Sequence, residues 1–291
     1  METLLNHPFS AATNIKGVLT MHAPPYEALV MTFVLLILAH LLGDFVLQSN
    51  NWAQQKSKKG YKTPVFWYHV ILHGLLAIIL IGHLCFWPYA LLLIALHGGI
   101  DQLKSEMERT LRLPGKSPNP TKSIRRWFWY DQLLHLLSII LITLLWQSKV
   151  APHGSMQQSL ANLQLLYMDI WTPSRILLIT LIIFLTRPAA IIIRQLITGW
   201  TPSYNTAIET DSLKNAGTYI GILERLFVFI FVIYGHVEAV GFLLAAKSIF
   251  RFGDLKAAKD RKLTEYVLIG TLISFGLALV AALIYLHGTL P

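Results

Sequence analysis

Apolar residues run along this chain in blocks of near membrane-spanning length, at about 28–47, 66–86, 88–103, 128–146, 174–198, 218–236, 237–253 and 265–286. A helix rises 1.5 Å per residue, so about 20 apolar residues cross the hydrocarbon layer of a bilayer. The pattern predicts an all-α fold, a polytopic transmembrane helix bundle of about eight spans. The blocks at 88–103 and 237–253 are short, which leaves tilted, re-entrant or interfacial placement open for them. The blocks divide the chain into an N-terminal segment (1–26), a four-helix module (27–147), a linker (148–173) and a C-terminal membrane helix module (174–291). Arg187-Pro188, inside ITLIIFLTRPAAIIIRQL, predicts a kinked span or a short span followed by an interfacial helix.

The polar positions inside these blocks are not scattered. Four blocks each carry two histidine or aspartate residues spaced i, i+4: His40/Asp44, His69/His73, His97/Asp101 and Asp131/His135. Residues at that spacing stack on one helix face. The first pair closes its span, the second opens the next, the third closes and the fourth opens. In an up-and-down bundle all four pairs therefore share one layer at one membrane face. Ionisable groups within spans are costly and point by default to function.

Composition and charge sharpen this picture. Of the 291 residues, 54% are hydrophobic and 13% charged, against about 25% charged in soluble domains. The net charge of +9 sits in short loops, which is the pattern of a membrane protein and argues against a nucleic-acid partner. The loops at 49–65, 104–126 and 251–263 hold most of the Lys and Arg, while the alternate connections are nearly bare. The basic loops should be cytoplasmic, with both termini on the far side if there are eight spans. Trp67, Tyr68, Trp127, Trp129 and Tyr130 flank span starts at interface depth. Residues 1–26 lack a basic start followed by a compact apolar core, so the first span is expected to be retained. Cys85 is the only cysteine, which excludes an internal disulfide and a thiolate cluster.

Taken singly, each histidine has an ordinary role as a bond to a neighbouring helix, and Asp131 has one as a helix-start residue. Five imidazoles and three carboxylates in one layer suggest more. The set suits a divalent transition metal such as Zn, Mn or Fe and parallels metal sites built in bundle cores. His40, Asp44, His69, His73, His97, Asp101 and His135 are the expected ligands or ligand orienters. Asp131, at the interface end of its helix, is the candidate general base. Gln48, Gln102 and Gln132 lie beside the pairs, as hydrogen-bond donors to a ligand or as contacts between helices.

A second polar set lies in the rear half: Glu224 and Arg225 in LERLF, and Lys247 and Arg251 in AAKSIFRF. Its cations would grip a phosphate or an anionic lipid head group, although basic residues at cytoplasmic helix ends are routine. The chain has no Walker loop, no dinucleotide-binding glycine motif and no nucleophile elbow.

HLLGDFVLQ, the H-x-x-x-H pair, HGGIDQLK and DQLLHLL resemble the bacterial membrane family filed as domain of unknown function 3307. GILERLF, GFLLAAKSIFRF and EYVLIGTLIS in the rear half also look like that family. The resemblance implies a bacterial inner-membrane location and carries no reaction. More distantly, the His/Asp pattern is similar to inner-membrane proteins described as metal-dependent hydrolases. Three readings follow. The first is a hydrolase acting on a phospho- or acyl-linked amphiphile, an anionic small molecule drawn from the membrane lipids, at a site facing the cytoplasm. The second is a cation- or proton-coupled transporter. The third is a metal-binding sensor or scaffold.

Overall fold

A computed structural model describes residues 25–149, 172–201, 215–252 and 260–289, and every regular element among them is helical. The front half contains α1 (Pro25–Leu41), which runs on into a π-helical turn at Leu42–Leu47, then the short polar helix α2 (Asn50–Lys59). Next come α3 (Pro64–Ile81), α4 (Trp87–Arg112) and α5 (Pro120–Lys149). α3 opens on Pro64, whose missing N–H costs nothing in a first turn. It closes at Gly82, which takes the left-handed φ of 67° and donates its N–H to the Ile78 carbonyl.

Packing the four long helices side by side buries Leu36, Ala77, Phe86, Ala90, Leu93, Ile139, Ile142 and Trp146 in one core. That core fills the end of the bundle opposite the His/Asp pairs. α2 lies outside it, against α4 and α3.

The rear half comprises α6 (Pro173–Leu185), α7 (Arg187–Ile197), α8 (Ala216–Ile233), α9 (Val237–Phe252) and α10 (Asp260–Thr289). Leu185, Val228, Phe229, Phe275 and Ala278 are central to its core. The halves meet where Leu35, Leu38 and Ala39 of α1 and Leu80 of α3 pack on Ile176 of α6. The linker expected at 148–173 and the N-terminal segment at 1–26 lie largely outside the described residues, as does most of the basic loop at 251–263.

Among the described residues six helices are long and apolar enough to cross a membrane, and a seventh span results if the bent pair α6–α7 is one. The two blocks expected to be short resolve differently. The block at 88–103 is not short, because its helix extends in both directions to 84–112 and its last turns are polar. The block at 237–253 folds as the 16-residue α9, which spans about 24 Å and falls short of the hydrocarbon thickness. The exterior is apolar, with Leu75, Ile79, Leu137, Leu144, Phe242 and Val280 at least half exposed. The histidines of the four pairs, with Asp101 and Asp131, are buried instead. Lipid as a solvent favours this arrangement, polar inside and apolar outside.

At Arg187-Pro188 the axis turns by 44°. Pro188 lacks an N–H, so the helix cannot run through. Arg225 of α8, 2% exposed, closes the break. Its Nε donates to the Leu185 carbonyl at 2.7 Å, one terminal nitrogen to the Thr186 carbonyl at 3.1 Å and the other to Ser274 Oγ of α10 at 3.2 Å. Arg225→Ala is expected to cost about 1–3 kcal/mol for each acceptor left unpaired, read as a lower thermal midpoint in detergent. Arg225→Lys should recover little, since an ammonium cannot reproduce the fork.

Candidate metal centre

The π-helical turn after α1 sets the first element of the site. It widens the helix by one residue per turn, and such turns often mark functional sites. Gly43 lies buried in this turn directly beneath the His73 ring, where any Cβ would overlap the imidazole. The imidazole thus comes down onto the backbone and meets Asp44. Asp44 Oδ1 stands 3.1 Å from His69 Nε2, 3.1 Å from His73 Nε2 and 3.5 Å from His97 Nε2, while its Oδ2 is 3.7 Å from His40 Nε2. His69 and His97 approach each other at 3.1 Å through the same nitrogens.

Asp101 continues the array. Its Oδ2 lies 3.3 Å from His69 Nε2 and 3.7 Å from His97 Nε2, and its Oδ1 lies 3.9 Å from His135 Nε2. Asp131 Oδ1 is 3.4 Å from His135 Nε2. All four i, i+4 pairs expected to share a layer are therefore in mutual contact. His69, His73, His97 and His135 are at most 2% exposed, Asp131 2%, Asp101 5% and His40 8%.

Potential donor atoms form three compact sets, each within 4.8 Å: His40, Asp44, His73 and His97; His69, His97 and Asp101; and Asp101, Asp131 and His135. His97 joins the first two and Asp101 the last two. Ligands about 2.0–2.2 Å from a tetrahedral ion lie roughly 3.3–3.6 Å from each other, close to the separations seen here. A small cavity of about 10 Å³ sits among His40, His73, His97 and His135. Several buried atoms of the array have no hydrogen-bond partner among the described residues: His69 Nδ1, Asp131 Oδ1 and both ring nitrogens of His135. Buried polar atoms are seldom left that way, so the donor set fits a cation. The expected ligands and the expected base thus lie in one array.

Two lysines belong to the site that the spacing of His and Asp did not reveal. Lys56 of α2, 7% exposed, places Nζ 2.5 Å from Asp101 Oδ2. Lys104 of α4 holds Asp131 Oδ2 at 2.8 Å, and Gln132 donates to the same oxygen at 3.0 Å. The glutamines expected near the pairs divide. Gln48 donates to the Asp44 carbonyl, whereas Gln102 accepts from the Tyr61 N–H and donates to Glu106, away from the carboxylates of the array.

The array floors a cavity of about 1150 Å³ between α2, the polar ends of α4 and α5, and α7. Asp44 and Asp101 reach it from the bundle. Lys56, Lys58, Lys104, Arg109, Arg112 and Arg125 line it, with Glu108 the further acid and Phe45, Ile124, Phe128 and Ile191 the apolar wall.

The rear residues expected to bind an anion do not line this cavity. Lys247 pairs with Glu224 at 2.6 Å, Arg225 is committed to the helix break, and the side chain of Arg251 lies outside the described residues.

No curated protein and no solved structure matches the chain. The family described as protein of unknown function DUF3307 matches residues 32–167, which stops short of α6 and leaves the rear motifs outside the match. That stretch, a little under half of the chain, holds all eight groups of the array.

Proposed function

We propose that the protein is a membrane hydrolase whose buried array holds one or two divalent transition-metal ions, and that it cleaves a phospho- or acyl-linked amphiphile at the cytoplasmic face of a bacterial inner membrane. The observation that carries the reading is the convergence of four helix pairs into three overlapping donor sets at the floor of one open cavity. The basic loops beside that cavity support the cytoplasmic assignment.

A bound ion of this class supplies Lewis acidity towards a phosphoryl or carbonyl oxygen and makes water nucleophilic near neutral pH. The chain's own part falls to the residues around it. Neutral imidazoles with carboxylates suit Zn, Mn or Fe, with no thiolate among them. Asp131 is the general base: Lys104 and Gln132 fix Oδ2, and Oδ1, which faces His135 Nε2 at 3.4 Å, is the oxygen that would take the proton. Lys56 at Asp101 places a positive charge where an oxyanion would develop.

A transporter needs a path through the bundle. Below the imidazoles the bundle is filled by Leu36, Leu93, Ile139, Ile142, Phe86 and Trp146, none more than 9% exposed. This favours the hydrolase over its rival.

Elemental analysis of purified protein should give about one or two ions per chain. Asp131→Asn should keep them and lose about 10²–10⁴-fold in turnover of phospho- and acyl-linked amphiphiles in mixed micelles. Cation or proton flux in proteoliposomes without product from any such substrate would sink the hydrolase and leave the transporter.

A further inference from the structure

We infer that the basic cavity above the array is a binding site for the phosphate-bearing head group of a membrane amphiphile, which rests on the hydrolytic reading only for what becomes of that group. Cations reach the cavity from three separate elements: Lys58 from α2, Arg109 and Arg112 from α4, and Arg125 from α5. A helix end exposed to water scatters its cations outward. Here they converge on one space.

Lys58 and Arg125 make no ion pair among the described residues, and Arg112 makes only a long, exposed pair with Glu108 at 4.0 Å, a weak contact in water. Arg109 pairs with Glu106, a half-exposed side chain on its own helix, which is a weak contact in water. Guanidinium groups match the oxygens of a phosphate in pairs, which a carboxylate, with fewer oxygens and one charge, does not exploit to the same extent. Ser57 and Ser105 add small polar side chains to the lining.

The remaining wall names the source of the phosphate. Phe45, Ile124, Phe128 and Ile191 are apolar and would have nothing to cover on a free phosphate ion. The cavity, about 1150 Å³, is also far larger than such an ion. α7 turns 44° away from α6, so Ile191, Gln195 and Thr198 form a side wall set off from the main bundle. Exposed Trp129 and Tyr130 follow directly on Phe128 and mark this level as the membrane interface. A lipid placed there has its phosphate among the arginines, its acyl chains toward the bilayer and its scissile linkage above Asp44 and Asp101.

The test uses full-length protein in phosphatidylcholine mixed micelles with fluorescent phosphatidic acid as the probe. Wild type should bind phosphatidic acid at least about tenfold more tightly than labelled phosphatidylcholine. The double variant Arg109→Gln/Arg125→Gln should lose at least about tenfold of that affinity, since each lost bond to a charged group matters, with metal content and thermal midpoint unchanged. Inorganic pyrophosphate should compete only weakly. Equal binding of the two lipids, or a double variant that binds like wild type, overturns the site. Pyrophosphate that binds saturably and is not displaced by phosphatidic acid overturns the lipid as its source. Selective lipid binding by a protein free of metal would remove the hydrolase and keep the site, whereas metal without lipid selectivity would do the reverse.

Discussion

Replacing His97 with alanine is expected to remove most of the bound metal, at least about tenfold in occupancy at fixed free metal. His97 is the imidazole common to two donor sets. Its ring also stacks on His73 at 3.7 Å and lies 4.3 Å from His135, so its loss also frees the neighbours that it holds in place. His40→Ala, at the edge of a single set, should cost less. Metal analysis after dialysis against a weak chelator reads both variants. Full occupancy in His97→Ala would place the ion elsewhere, or nowhere.

The second large effect is expected from a residue with no chemistry. Gly43→Ala adds one methyl group, and that methyl falls on the His73 ring. The ring has little room to retreat: it is 2% exposed and packed against His69, His97 and His40. Either the π turn shifts or His73 leaves Asp44. Metal occupancy should fall by about tenfold with every ligand still present, and overpacking should cost about 1–3 kcal/mol of stability. Equilibrium dialysis and thermal unfolding measure the two. A Gly43→Ala protein with wild-type metal content would show that the close approach of His73 to this turn is dispensable.

The array was legible because it obeys helical periodicity. His40/Asp44, His69/His73, His97/Asp101 and Asp131/His135 each declare a face, and alternation of spans puts the four faces at one level. Lys104 is legible in the same way: 97, 101 and 104 follow the i, i+4, i+7 stripe of α4. Lys56 was not legible, because α2 is polar all round and nothing in NNWAQQKSKK says which lysine turns inward. The π turn leaves no mark in composition, since it is a matter of backbone hydrogen bonding. Arg225 was read as a ligand for anions because a lone arginine in an apolar helix has the same sequence signature whether it binds phosphate or caps two carbonyls. The shortness of α9 was legible in its block at 237–253, whereas its placement was not, because hydropathy reports polarity and not depth. The cavity walls come from α2, α4, α5 and α7 together, and no single segment carries their convergence.

The ammonium groups of buried Lys56 and half-buried Lys104 bear on how such a centre would fill. Asp44, Asp101 and Asp131 contribute three negative charges, and Lys56 and Lys104 offset two of them. With neutral imidazoles the cluster holds one net negative charge. One divalent ion turns that to one positive, and a second turns it to three positive in surroundings of low dielectric, where like charges repel strongly. A doubly charged phosphate arriving from above would restore the balance reached with one ion. On the proposed reading, a second ion and an anionic ligand would be thermodynamically linked, each raising the affinity for the other by the same factor. If the array holds metal as proposed, the two lysines would make full loading conditional on an anionic ligand.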